Sequence, residues 1–270
     1  MAKEKNKKSG CLIAVIVIVA IGIVAAAAGG KKKSEDSASG SVKITSSSTV
    51  SSEKKSQDKN EKNDSFAYEM TDTNFSYYTT SIGTVEYYGF VEITNTGSCN
   101  IYLDNCTFDI EDNDGHLLES DKLIYSSPDI IAPGEKGYFY NGLGSNVIDS
   151  NVSVDNGLVL VPNYKIEKAN GDIIEYDVSD TDMHIDDLGY VKVTGRITNN
   201  TDDDEKYLGI NVIFYDDSGN VLFITNSSVT DLNAGSTVSF EASTLFSDNS
   251  VNKDDIASFQ VIARKSYHQF

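Results

Sequence analysis

Apolar and polar residues alternate along most of the chain after residue 62, with the two-residue period of a half-buried β-strand. The clearest runs are Val191, Val193 and Ile197; Ile210, Val212 and Phe214; and Cys106, Phe108 and Ile110. No segment after residue 30 has the periodicity of an amphipathic helix. The pattern therefore predicts an all-β protein of antiparallel sheets.

The N-terminal region departs from this pattern. Residues 11–28 read CLIAVIVIVAIGIVAAAA, an uncharged run with lysines on both sides. As a helix rising about 1.5 Å per residue, the run would span roughly 27 Å, which is enough to cross a hydrocarbon core. We predict a transmembrane helix or signal anchor that follows a basic cytoplasmic segment, residues 1–10. Ala26 and Ala28 form a small-residue pair that leaves a cleaved signal peptide open as the alternative.

A spacer and an acidic region follow the apolar run. Residues 29–62 are rich in serine and lysine and have few apolar side chains, so we expect a disordered linker. The formal net charge of the chain is −19; residues 1–62 contain 12 lysines against 6 acidic residues, which leaves −25 on the remainder. A region with this much negative charge would repel the phosphate backbone of a nucleic acid, which argues against nucleic-acid binding.

The acidic region contains one sequence pattern twice. IEDNDGHLL near residue 115 resembles FYDDSGNVLF near residue 219, and Ile-Thr-Asn occurs at both 93–95 and 197–199, an offset of 104 residues. A second block at an offset of 101 pairs Ile-Ala-Pro-Gly at 131–134 with Leu-Asn-Ala-Gly at 232–235, and Phe139 with Phe240. We infer one module present in two copies, residues 63–169 and 170–270.

The acidic stretches before Gly115 and Gly219 suggest either a calcium loop or a hairpin turn. With either glycine at position 6 of an EF-hand loop, position 1 becomes Ile110 or Phe214, which excludes that loop. Glycine after short polar residues between two apolar runs is typical of a hairpin connection, and we predict one at each site. Asn170-Gly171 also has the pattern of a two-residue hairpin turn.

The duplicated pattern resembles the FxLYD domain, an immunoglobulin-like sandwich of Gram-positive surface proteins. Its signature corresponds to Val212, Phe214, Tyr215 and Asp216 in the second copy and to Phe108, Ile110, Glu111 and Asp112 in the first. Val212 stands in place of the phenylalanine and Glu111 in place of the tyrosine. The resemblance implies two tandem immunoglobulin-like antiparallel β-sandwiches on a cell surface and implies no catalytic role.

Two sets of side chains have the composition of a metal site. The first is the acidic run Asp202, Asp203, Asp204 and Glu205, which suggests a calcium site built from loops or, alternatively, solvated charges that keep edge strands soluble. The second is His184 with Asp182 and Asp186, which would share one face of a strand. An edge strand with polar residues facing water explains this second set equally well.

Cysteine and tyrosine supply the remaining candidates. Cys99 and Cys106 are near enough in sequence for a local disulfide outside the cell, but alternation also places Cys106 on an inward face as a small buried hydrophobe. The adjacent pairs Tyr77-Tyr78 and Tyr87-Tyr88 place neighbouring rings on opposite faces of a strand. One ring of each pair would then be available to a sugar or protein, unless all four stabilise a sandwich face.

Taken together, these features predict a single-pass membrane protein whose C-terminal domains are extracellular and act as non-enzymatic interaction modules. A module that binds wall glycan or another carbohydrate is one alternative, and a calcium-stiffened adhesin is another. The sequence contains no Gly-x-Ser-x-Gly, Cys-x-x-Cys or P-loop motif, and we predict neither an enzyme nor a cofactor. The protein or cell-wall partner is not named by any motif.

Overall fold

The all-β prediction is confirmed for the part of the chain that the structure describes. The computed structural model describes residues 65–80, 83–142, 147–148, 157–245 and 252–266. These residues form antiparallel strands in four sheets and one short 3₁₀-helix, and no α-helix occurs among them. The fold is β-sandwich-like, with apolar side chains between paired sheets.

Several sequence predictions fall outside these residues. Contact density divides the chain into Met1–Ala38 and Ser39–Phe270, and all described residues belong to the second unit. The basic segment 1–10, the apolar run 11–28 and the linker 29–62 lie outside the described residues. Among the described residues, none belongs to a helix with the length and hydropathy needed to span a membrane.

We call the strands β1–β9 the first lobe. They are β1 (Tyr68–Thr79), β2 (Val85–Asn95), β3 (Ile101–Asp112), β4 (Leu117–Asp121), β5 (Ile124–Ser127), β6 (Ile130–Ile131), β7 (Lys136–Asn141), β8 (Val147–Ile148) and β9 (Leu158–Lys168). Sheet 1 has the order β1-β2-β7-β5, with β8 also pairing with β2. Sheet 2 has β3 between β9 on one side and β4 and β6 on the other.

The remaining strands form the second lobe. They are β10 (Asp177–Ile185), β11 (Tyr190–Thr198), β12 (Glu205–Tyr215), β13 (Val221–Leu232), β14 (Thr237–Leu245) and β15 (Ser258–Ala263). Sheet 3 has the order β10-β11-β14, and sheet 4 has the order β13-β12-β15. Sheet 3 thus repeats the β1-β2-β7 order of sheet 1, and sheet 4 repeats the β4-β3-β9 order of sheet 2.

The alternating apolar residues fill the space between the sheets of each lobe, as the sequence predicts. Phe108 and Ile110 are fully buried in the first lobe, and Val212 and Phe214 are buried in the second. Phe139 and Phe240, which the sequence pairs at an offset of 101, are both buried on the strands β7 and β14. Burial of aromatic and branched side chains on both inner faces provides the main favourable free energy of such a fold.

The hairpin prediction for the two acidic stretches is confirmed. Gly115 connects β3 to β4 with φ +83°, and Gly219 connects β12 to β13 with φ +82°. In each loop the first aspartate accepts hydrogen bonds from two backbone N–H groups; the distances are both 2.9 Å for Asp112, and 2.9 and 2.8 Å for Asp216. The acidic side chains therefore serve the turn itself, which is the behaviour expected of an Asx-type loop.

Buried asparagines occupy matching positions in the two lobes. The Asn95 side chain is fully buried and donates to the carbonyls of Cys99 and Ile131 at 2.8 and 3.0 Å. Asn199, 104 residues later, is also fully buried and donates to the carbonyls of Asp203 and Leu232 at the same two distances. Each amide thereby ties the loop that follows it to a neighbouring strand.

Replacement of Asn199 by Ala should lower the free energy of unfolding by about 1–3 kcal/mol, because two buried carbonyl acceptors lose their donor. Urea denaturation of the purified protein measures the change. Asn200→Ala is the matched control, since Asn200 is exposed. An equal effect of the two substitutions would contradict the structural role of the Asn199 amide.

The predicted hairpin at Asn170-Gly171 is wrong. The strand before it, β9, pairs with β3, while β10 begins at Asp177 and pairs with β11. Residues 169–176 instead connect the lobes, and Glu175 forms an isolated bridge with Arg264. Asn-Gly favours a hairpin only when two strands are free to pair across it, and here both flanking segments pair elsewhere.

Candidate functional site

The predicted tyrosine site is divided between different environments. Tyr87 and Tyr88 are only 4% and 1% exposed, so the expectation that one of this pair reaches solvent is wrong. Tyr87 packs in the first-lobe core, whereas Tyr88 points to the opposite face and packs with the second lobe. Tyr77 and Tyr78 are half-buried on the edge strand β1, where Tyr78 donates a hydrogen bond to Glu86. A binding role for Tyr77 and Tyr78 stays a prediction.

The outer face of sheet 1 explains why Tyr88 is buried. Tyr88, Phe90, Tyr138 and Tyr140 on this face belong to the same buried cluster as the second-lobe core. Ile213 is 1% exposed, although it alternates with the core residues of β12 and so lies on the outer face of sheet 4. The first-lobe aromatic rings thus cover apolar side chains that would otherwise face water.

Hydrogen bonds fix the position of the lobes. The backbone N–H of Ile224, on the edge strand β13, donates to the hydroxyl oxygen of Tyr88 at 2.7 Å. The Tyr140 hydroxyl donates to Asn211 Oδ1 at 2.8 Å and accepts from Asn226 Nδ2 at 3.2 Å. Burial raises the pKa of both tyrosines, so they are neutral hydrogen-bonding groups at physiological pH.

Arg264, near the end of the described chain, also joins the two lobes. Its guanidinium donates to the Ile130 carbonyl at 2.8 Å, to Glu135 at 3.1 Å and to Glu175 at 2.9 Å. Burial of the Glu135 carboxylate tends to raise its pKa, but the hydrogen bonds with Arg264 outweigh burial and lower the pKa overall. Ser266 adds a hydrogen bond of 2.7 Å to Asp129 of the first lobe. Fork geometry of this kind suits arginine and not lysine.

The structure does not bring the acidic run 202–205 together as a cation site. Asp202 and Asp203 are exposed, and Asp204 accepts the backbone N–H of Ala234 at 2.9 Å. Glu205 is buried and accepts from the Tyr176 hydroxyl and from Lys265 Nζ, both at 3.0 Å. Each engaged carboxylate therefore has a different protein partner.

Both described cysteines are buried free thiols. Cys106 lies in the first-lobe core, as the small-hydrophobe alternative expects, while Cys99 lies in the loop after β2. Burial raises the pKa of the Cys106 thiol, which keeps it protonated and weakly nucleophilic. The structure contains no disulfide between Cys99 and Cys106.

The two described histidines, His116 and His184, occupy exposed positions. His184 is exposed on β10, whereas Asp186 accepts the backbone N–H groups of Leu188 and Tyr190 in the turn that follows. One His and two Asp side chains do converge elsewhere, in the turn formed by Asp112, Asp114 and His116. His116 Nδ1 lies 2.9 Å from Asp112 Oδ2, where Asn220 makes the corresponding contact with Asp216 in the second lobe. The contact therefore has a structural counterpart without a histidine.

The His116 contact predicts a pH dependence. The hydrogen bond with Asp112 raises the pKa of His116 above its ordinary 6.5, and the bonds from His116 lower the pKa of Asp112 below its ordinary 3.8. Stabilisation by protonated His116 is thus present below pH 6.5 and is lost as the pH rises through the folded-state value. Stabilisation by ionised Asp112 is present above pH 3.8 and is lost at lower pH. NMR titration should show a lower His116 pKa in Asp112→Asn; an unchanged value would contradict the contact.

Sequence reasoning missed two other tyrosines. Tyr125 on β5 and Tyr207 on β12 are 49% and 56% exposed. The ring of Tyr125 lies 5.6 Å from that of Tyr140, centroid to centroid, at the boundary between the lobes. Tyr207 lies on the same face of β12 as Asn211, the hydrogen-bond partner of Tyr140. The sequence did contain a signal that these two residues lie together, because Tyr207 and Asn211 are four residues apart and residues at even spacing share a strand face.

A shallow groove of about 490 Å³ opens on sheet 3. Its lining consists of Asp180, Thr194, Gly195, Arg196, Ser239, Phe240 and Glu241. Asp180 has φ +52°, in the left-handed region, at an irregularity in the pairing of β10 with β11. The side chain of Arg196 is exposed and has no hydrogen-bond or ion-pair partner within the described residues. Five of the seven lining residues have polar or charged side chains, in contrast to the aromatic outer face of sheet 1.

Comparison with known proteins adds no assignment: no protein-family model matches the chain, and no curated protein matches it. The similarity to the FxLYD domain thus rests on the sequence signature alone.

Proposed function

We propose that this chain is a membrane-anchored cell-surface protein that presents two immunoglobulin-like interaction modules of the FxLYD kind and has no catalytic role. The observation that carries the proposal is the inter-lobe contact, in which Tyr88 and Tyr140 of one lobe bind the strands β12 and β13 of the other. An interface with buried rings and specific hydrogen bonds holds two modules in one orientation, which suits presentation of a surface.

The proposal treats the two lobes as copies of one module, residues 63–169 and 170–270. Three observations support this: the common strand order, the matching loops at Gly115 and Gly219, and the matching side-chain bonds of Asn95 and Asn199. The anchor, residues 11–28, and the spacer, residues 29–62, enter the proposal from the sequence.

A non-enzymatic role is supported by how the reactive side chains are used. The Cys106 thiol is buried and protonated, and His116 is engaged with the turn aspartate Asp112. The Glu205 carboxylate forms an ion pair with Lys265. These groups stabilise the fold, and their contacts give no arrangement of nucleophile, base and orienting group.

Surface labelling tests the proposal. The full-length chain with a C-terminal epitope tag is produced in a Gram-positive host, and intact cells are treated with a membrane-impermeant amine reagent. The exposed lysines, such as Lys122 and Lys206, should react on intact cells, and the protein should remain with the membrane fraction. Labelling that requires prior lysis would overturn the proposed location.

Carbohydrate binding is the second candidate function, and the exposed rings of Tyr125 and Tyr207 favour it. The calcium-stiffened adhesin remains a separate alternative. It predicts that calcium raises the melting temperature of the protein by mass action, which a thermal scan with and without calcium would detect.

A further inference from the structure

The outer face of sheet 4 has two parts. The first lobe covers one part around Ile213 and leaves open the part nearer the start of β12. The open part consists of outward residues on β12 and their cross-strand partners on β13: Tyr207, Gly209, Asn211, Asn226, Ser228 and Thr230. We call these six residues the open strip. Tyr207 and Asn211 are four residues apart, or roughly 13 Å along a strand, which is the length of a short chain of sugars and not of one ring.

Tyrosines from both lobes border the open strip. Tyr207 stands at one end, and at the other end Tyr140 bonds to Asn211 and Asn226. Tyr125 packs beside Tyr140 and has half of its surface in water. After burial, the nearby hydroxyls of Tyr125 and Tyr207 contribute to the raised pKa of Tyr140, in keeping with this proximity. Exposed rings are therefore contributed by both lobes at one boundary.

Gly209 forms the floor of the open strip. A Cβ added there would meet no other atom within 4 Å, and the backbone does not have the positive φ that requires glycine. Neither packing nor backbone conformation explains a glycine in the interior of β12, where it has an entropic cost. What the residue does provide is space above the strand, between Tyr207 and Asn211.

The polar groups of the open strip are uncharged. All six residues lack an ionisable carboxylate or amine, in a chain of net charge −19. Asn211 Nδ2 and Asn226 Oδ1 make no hydrogen bond among the described residues, and neither do the hydroxyls of Ser228 and Thr230. The strip thus offers an unused amide donor, an unused carbonyl acceptor and two hydroxyls beside aromatic rings. An acidic protein in which these six residues carry no cationic side chain would not attract a polyanion to the strip.

We propose that the open strip, with Tyr125 and Tyr140 at its border, binds a neutral oligosaccharide. Tyrosine ring faces are electron-rich and attract the C–H groups of a sugar ring, while the amides and hydroxyls match its alcohol groups. The site requires both lobes, because Tyr125 and Tyr207 come from different ones. This inference deepens the proposed surface role by naming its ligand class, and it rests on that role.

The test uses the purified full-length chain in a detergent that has no sugar headgroup. Chitohexaose and maltoheptaose are the probes, with hyaluronan as a charged comparison, and binding is measured by calorimetry and by saturation-transfer NMR. At least one neutral probe should bind, and hyaluronan should not. Tyr207→Ala and Tyr125→Ala should each weaken that binding roughly tenfold or more, as expected for aromatic anchors.

Gly209→Val provides a variant that should keep its fold, because the new side chain has open space and valine favours strands. It should abolish binding by filling the floor of the strip, with an unchanged melting temperature. Leu188→Ala is the matched control: Leu188 is 78% exposed and distant in sequence from the strip, and this variant should bind as the wild type does.

Three results would overturn the inference. They are the absence of binding of either neutral probe at millimolar concentration, unchanged binding by Tyr207→Ala and Gly209→Val, and a strip that captures a protein but no sugar. Failure of sugar binding leaves the labelling result on intact cells intact, whereas failure of labelling leaves the calorimetry intact. The two proposals can therefore fail separately.

Discussion

Phe214→Ala should lower the free energy of unfolding by about 3–5 kcal/mol, the usual cost of removing a buried aromatic ring. Phe214 is 1% exposed, and its ring stacks on that of Phe223 with centroids 4.2 Å apart. The substitution removes this contact and leaves a cavity between sheets 3 and 4, because a sandwich core cannot collapse around it without moving strands.

Urea denaturation measures this loss. Phe214→Leu is the conservative control, and it should cost much less because most of the apolar volume is kept. The structure would be contradicted at this position by a cost for Phe214→Ala below about 1 kcal/mol, which is the range of a surface substitution.

Ile213→Asp should separate the two lobes without unfolding either one. Ile213 is buried only because the first lobe covers it, and an unpaired carboxylate there would cost roughly 3–5 kcal/mol, similar to that of a broken buried ion pair. The residue 104 positions earlier is Asp109, which lies on the outward face of β3 and is tolerated there. The second lobe should therefore fold with aspartate at this position once the carboxylate reaches water.

Small-angle scattering should show a larger radius of gyration for Ile213→Asp, and trypsin should cleave faster after Lys168, just before the connection 169–176. Ile185→Asp places the same charge at a residue that is already 41% exposed, so it should change neither measurement. If Ile213→Asp leaves both measurements at their wild-type values, the inter-lobe contact is not what holds the lobes together.

The predictable features are those that depend on neighbours in sequence. Glycines 115 and 219 form the predicted turns because the polar residues before them supply the bonds that close the loop. The inward positions of Phe108 and Phe214 follow from alternation within one strand. Turn chemistry and strand period act over a few residues, so one sequence is sufficient to identify them.

The burial of Tyr88 could not be obtained in the same way. Alternation shows that Tyr87 and Tyr88 point to opposite faces, but it does not show what covers the outer one. One signal was present: Val212, Ile213 and Phe214 are consecutive apolar residues, a pattern typical of strands that are buried on both faces. The first-lobe surface that covers Ile213 includes Tyr140, which lies more than 70 residues earlier in the chain. No local sequence pattern can reveal a contact over that separation.

The inter-lobe contact joins two unlike surfaces, the outer face of sheet 1 and the outer face of sheet 4. Repetition of such a head-to-tail contact between molecules would produce an open filament. The faces that remain outward do not allow it: Lys192, Thr194 and Arg196 stand on sheet 3 where Tyr88, Phe90 and Glu92 stand on sheet 1, and Asp109 stands where Ile213 completes the contact. The contact is therefore completed within one chain, and the faces that remain outward do not repeat it between molecules.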